Sequence, residues 1–125
     1  MVLLATTICF VACHGGPADH FATFAQELEE RGYRVELYGS GPALKKFEAR
    51  NAHNLHTFST EESAHALVEQ LAPYNLVITD LGDHFDVELH LAMKEAAPNT
   101  PCYTYYDNAE PFVPGGYSEV AEKVM

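Results

Sequence analysis

The stretch LLATTICFVACHGGP, residues 3–17, decides how this chain is read. Leu3 to Ala12 is almost continuously apolar, as a strand covered on both faces must be, and it runs into the pair Gly15-Gly16. The run is too short to span a bilayer, and no Lys or Arg precedes it as a secretory leader requires. It reads as a buried first strand entering a glycine turn. Beyond the turn, Pro17 suits a first helical turn and Gly32 suits a left-handed helix end. Between them Ala18, Phe21, Ala25 and Leu28 recur at helical spacing, with Glu27, Glu29, Glu30 and Arg31 toward water.

The rest of the chain repeats this alternation. Tyr33 to Tyr38 alternates apolar and polar residues as a second strand, closing at Gly39-Ser40-Gly41. A short helix with Ala43, Leu44 and Phe47 inward follows, then a brief edge strand from His56 to Phe58. Ser59-Thr60-Glu61-Glu62 has the form of a capping box for a helix carrying Ala64, Leu67, Val68 and Leu71. Leu76 to Thr79 is a second fully apolar strand, and Leu89, Ala92, Met93 and Ala96 mark a fourth helix that stops before Pro98. Cys102 to Tyr106 makes a fifth strand, and a Pro/Gly loop from Pro111 to Gly116 leads to a last helix with Val120, Ala121 and Val124 on one side. Such an order predicts an α/β, three-layer Rossmann-like domain with a five-stranded parallel sheet in the order 3-2-1-4-5. Residues 1–125 read as that one domain, and they end on a helix with no closing signal, as the N-terminal half of a longer protein would.

Composition narrows the class of function. Apolar residues make up 47% and charged residues 20%, which is the profile of a chain that can bury a core. Acids outnumber bases 18 to 7, and the resulting charge of −11 repels phosphate backbones, so nucleic acid is not expected as a partner. Cys9, Cys13 and Cys102 are odd in number and lack metal-ligand spacing, which fits free thiols in a reducing, cytoplasmic setting. No other segment could cross a membrane.

In open sheets of this order, ligands bind beyond the strand ends where the order reverses, here between strands one and four. The candidate ligand-binding residues are therefore His14, Gly15, Gly16 and His20 on one side and Asp80, Gly82, Asp83 and His84 on the other, with Asp107 and Asn108 after strand five. The glycines would let backbone approach a ligand, and the helix N-terminus offers N–H groups to a phosphate, carboxylate or sugar hydroxyl. The same glycines serve equally well in a plain tight turn. His14, His20 and His84 with Asp80, Asp83 and Asp107 have the chemistry of a zinc or other divalent-metal site, but they come from separate loops and no HExxH-type spacing brings them together. The sequence assigns no metal ligand, cofactor or catalytic residue. Asp80 and Asp107 also suit loop or helix caps, Asp83 suits an N-cap, and His53, His56, His65 and His90 read as surface or satisfied positions. GxGxxG, GxxxxGK[ST] and GxSxG are all absent.

From Gly15 to Gly39 the chain resembles the opening β-α-β unit of GT-B glycosyltransferases and the related nucleotide-sugar epimerases. The likeness rests on Gly15-Gly16, on Glu30-Arg31-Gly32-Tyr33-Arg34-Val35 leading to Gly39, and on Leu76-Val77-Ile78-Thr79-Asp80. It implies a sugar- or acceptor-binding N-terminal domain, inactive alone, whose ligand is a sugar or nucleotide sugar. A C-terminal domain or partner subunit would bind most of the donor. Pro17 stands where members often carry His, with His14 and His20 on either side. Metal-dependent deacetylases of N-acetylglucosamine conjugates also resemble this layout, although their His-Pro-Asp-Asp run is not matched by His14 to Asp19. A third reading is a non-catalytic Rossmann-like interaction or regulatory domain.

Overall fold

Ile8 to Ala12 are buried on both faces because β1 (Thr7–Ala12) is the middle of the sheet. The computed structural model describes residues 6–80 and 84–105. After β1 come α1 (Gly15–Glu30), β2 (Arg34–Gly39), α2 (Pro42–Ala49), β3 (Leu55–Thr57), α3 (Ala64–Leu71), β4 (Leu76–Asp80), α4 (His84–Ala96) and β5 (Cys102–Tyr105). The five strands form one sheet in the order β3-β2-β1-β4-β5, as the alternation predicts, and every pairing is parallel. Val11 pairs with Tyr38 on one side and with Thr79 on the other, so the ends of β1 and β4 lie together where the order reverses.

Strand alternation splits the core into two layers. Ile8, Phe10, Ala12, Val35 and Leu37 meet Ala18, Phe21, Ala25, Ala43 and Phe47 under α1 and α2. Cys9, Val11, Cys13, Tyr38 and Val77 meet Leu67, Val68, Leu71, Leu89 and Met93 under α3 and α4. Each fully covered Phe or Leu contributes about 1.5–3 kcal/mol. Gly32 takes φ +94 at the end of α1, where Tyr33 N–H reaches Leu28 O and Gly32 N–H reaches Glu29 O, both at 3.0 Å. Those two bonds satisfy carbonyls that the helix end leaves open. Gly39 has a packing reason instead, since a Cβ there would stand 2.9 Å from Phe47 Cδ2 and 3.0 Å from Leu44 Cα.

Some local expectations fail for physical reasons. The cap of α3 is Ser63, whose side chain accepts from His65 N–H at 3.2 Å. Ser59 instead accepts from Glu61 N–H in a local turn four residues earlier, so the capping box is misplaced. Strand β2 is not half-exposed: Val35 to Gly39 are all buried, Glu36 included, with its Oε1 2.9 Å from His56 Nε2. Ala96 is exposed, and Ala97 takes the buried place at the end of α4. The edge strand β3 lies one residue earlier than the apolar pattern places it. The last predicted helix lies outside the described residues.

Candidate functional site at the ends of β1 and β4

Asp80 is the last residue of β4 and has no solvent exposure. Its Oδ2 accepts the N–H of Cys13 at 2.8 Å and the N–H of His14 at 2.9 Å, both in the loop after β1. Burial raises its pKa above the ordinary carboxylate range, against the pull of those two N–H groups. The other oxygen, Oδ1, is buried and has no hydrogen bond of good geometry among the described residues, and a side-chain hydrogen bond with Asp86 also favours the ionised carboxylate. Asp86, in the first turn of α4 and 2% exposed, lies within interacting distance of Asp80. Cys13, 7% exposed, completes the group. One ligand atom from each of Cys13, Asp80 and Asp86 lies within 4.8 Å of the others.

Sequence reasoning missed two of these three, although each leaves a trace. Cys13 continues the Cys9–Val11–Cys13 alternation that points toward α3 and α4. Asp86, Leu89, His90 and Met93 stand at i, i+3, i+4 and i+7, and all four are buried. An acid inside such a stripe marks a buried carboxylate. The expected cluster of His14, His20 and His84 with Asp80, Asp83 and Asp107 contributes only Asp80 to the group found among the described residues.

The two bonds to Asp80 tie the start of the glycine turn to the end of β4. His14 is the N-cap of α1 with no side-chain capping bond, Gly16 is exposed, and the first turn holds no acid. The Lys46 chain passes alongside, 3.4 Å from where a Gly15 Cβ would stand, with its Nζ 3.3 Å from Asp19 Oδ2. His20 lies farther along α1 and is exposed, with Nδ1 2.8 Å from the Tyr105 hydroxyl at the end of β5. Tyr105 also packs edge-on against Phe21 and Phe24. His84 is the exposed first residue of α4. Gly82, Asp83, Asp107 and Asn108 lie outside the described residues.

One turn along α4, His90 is 3% exposed, and its Nε2 meets the hydroxyls of Thr79 and, at 2.9 Å, Thr104. It is thus a satisfied position on that nitrogen, but its Nδ1 is buried without a partner among the described residues. Burial pushes its pKa down to about 4, so the ring is neutral at physiological pH. Cys102 Sγ is 4.0 Å from the same Nε2, and burial with the nearby Asp86 charge pushes that thiol up to about 12. It is an unreactive thiol by this measure.

No helix among the described residues is long and apolar enough to cross a membrane. No family model matches the chain, and no curated protein matches it. Among solved structures the chain is similar to the phenylacrylic acid decarboxylase from Aquifex aeolicus, at 11% identity. That match covers 98% of this chain and 92% of the other, with a TM-score of 0.35.

Proposed function

We propose that this chain is a Rossmann-like binding domain holding a divalent transition metal between Cys13, Asp80 and Asp86. The observation that carries the reading is the Asp80 carboxylate. Two backbone N–H groups occupy one oxygen, and the other is buried in a group that sets a second carboxyl, Asp86, and the Cys13 thiol within 4.8 Å. A buried carboxylate is stable when paired or bound to a metal. The donor set fits zinc best, because thiolate selects a softer ion than magnesium or calcium. Ligand atoms this close could converge on an ion at about 2.0–2.3 Å through small side-chain rotations. A zinc ion with three protein ligands keeps a fourth position for water or a ligand, the chemistry of metal-assisted hydrolysis. Asp80 would then do two things, binding the ion and fixing the β1–α1 turn that receives the ligand.

The test is zinc titration of metal-free protein by calorimetry, with metal content measured after dialysis. One tightly held zinc per chain, lost in Asp86→Asn and Cys13→Ser, is the expected result. Absence of stoichiometric binding by zinc, manganese or cobalt would overturn the reading and favour the non-catalytic interaction domain.

A second reading keeps the GT-B likeness, favoured by the uncapped N-terminus of α1 at Gly15-Gly16 with Lys46 alongside. Such a helix end attracts a phosphate or carboxylate. In this reading a sugar or nucleotide sugar occupies the turn, and a C-terminal domain or partner subunit completes the enzyme. Ligand-observed NMR with metal-free protein separates the two, since UDP-sugar contacts without metal favour the transferase half.

A further inference from the structure

We propose that His90 is a positioning residue for the metal centre, its Nδ1–H donating to the Asp86 carboxylate once that carboxylate holds the ion. This role rests on the metal reading of Cys13, Asp80 and Asp86, to which it adds a residue. Asp86 and His90 stand one turn apart on α4, and both are buried, at 2% and 3% exposure. A helical side chain leans back over the turn before its own, so the side chain of His90 covers the turn that carries Asp86. Cys102 links the two, because its Sγ is 4.0 Å from His90 Nε2 and its thiol feels the Asp86 charge.

The other side of the ring sets its tautomer. Nε2 meets the hydroxyls of Thr79 and Thr104. Thr79 has no solvent exposure, and His90 is the partner of its hydroxyl among the described residues. An interior hydroxyl that only accepted would leave its own proton without an acceptor, so Thr79 donates to Nε2. The neutral ring then carries its proton on Nδ1, which is buried and has no partner among the described residues. Metal ligation calls for such a donor. A carboxylate on a metal ion is ionised, and hydrogen bonds to its remaining lone pairs fix its orientation. The same small side-chain rotations that gather the ligands can bring the second Asp86 oxygen to this N–H.

Two substitutions separate the two nitrogens. His90→Asn keeps an N–H near the Nδ1 position, whereas His90→Gln reaches toward Thr79 and Thr104 and leaves no donor beside Asp86. Zinc titration of the metal-free chain reads the difference, with urea unfolding of each variant to establish that it folds. His90→Gln and His90→Leu should bind zinc about 10–100-fold more weakly than the parent, and His90→Asn should stay close to it. The visible spectrum of the cobalt-loaded protein, which reports ligand geometry, should change in His90→Gln and His90→Leu and hold in His90→Asn. Equal affinity in the parent and all three variants overturns the inference and leaves the metal reading standing. So does tighter binding by His90→Gln than by His90→Asn, because the anchorage to Thr79 and Thr104 then matters in place of the donor. Equal weakening in all three variants also overturns it, since ring packing is then what counts. A parent chain that binds no stoichiometric metal removes the metal reading itself, and this role with it.

Discussion

Replacing Asp80 by Ala removes the acceptor shared by the Cys13 and His14 N–H groups. A hydrogen bond to a charged group is worth about 1.5–3 kcal/mol, and a buried N–H left without a partner adds to the loss. Against this, Ala relieves the burial of a carboxylate whose charged form is already disfavoured. The expected net loss is about 3 kcal/mol, or roughly 3–5 °C of Tm per kcal/mol for a chain of this size. Asp80→Asn keeps an oxygen of the same shape facing both N–H groups, so it should stay within about 1 kcal/mol of the parent. The pH dependence separates the two effects further. Because the folded pKa is raised, Asp80 stabilises the fold most below its unfolded value near 3.8, and that stability is lost as pH rises through the folded pKa. Asn has no such loss, so the difference between Asn and Asp should move in favour of Asn from acid toward neutral pH. Urea unfolding followed by circular dichroism, in metal-free buffer across that range, measures all three proteins. An Ala variant within about 0.5 kcal/mol of the parent, or an Asn variant as damaged as Ala, would refute the anchoring role.

His90 should act with the opposite sign. Its folded pKa of about 4 lies below the unfolded 6.5, so its stability is full above pH 6.5 and falls by about 3 kcal/mol as pH drops toward 4. His90→Leu should flatten that limb of the stability profile, as denaturant midpoints at several pH values will read. Gly39→Ala should cost about 1–3 kcal/mol, because its Cβ meets the α2 backbone at 3.0 Å and Phe47 cannot move without opening the core. Thermal melting checks this, and an unchanged Tm would show that α2 can shift away. Tyr38→Phe removes the 3.1 Å hydroxyl contact with Tyr74 and should cost only about 0.5–1.5 kcal/mol, because Tyr74 keeps access to water.

The topology was legible because strands β1 and β4 announce burial on both faces, and two such strands in an alternating chain belong at the centre of a parallel sheet. The switch point follows from that order, so the place of Asp80 was legible as well. Its direction was not. Nothing local in Leu76 to Asp80 says that the carboxylate crosses to the Cys13 and His14 N–H groups. Glu36 escaped because its partner, His56, comes from a neighbouring strand, and a charge between Val35 and Leu37 reads as solvent-facing. The apolar stripe of α4 hides an acid and a histidine, Asp86 and His90, on the same buried side, and hydrophobes alone do not reveal them. The helix-start signals near Ser59 and Ser63 are similar in type, and only the packing of Ala64 against the core selects the second.

The bond from Cys13 N–H to Asp80 joins residues 67 positions apart in the chain. Strands β1, β2 and β3 can find one another through short connections before β4 exists, whereas the Asp80 bonds to the turn after β1 form only once β4 has docked beside it. Closing so long a loop carries an entropic cost that only the finished central pair of strands offsets. The turn that would receive a ligand is therefore among the last parts of the domain to take shape. In the proposed reading, a chain still short of β4 would lack the Asp80 carboxylate that ties down this turn.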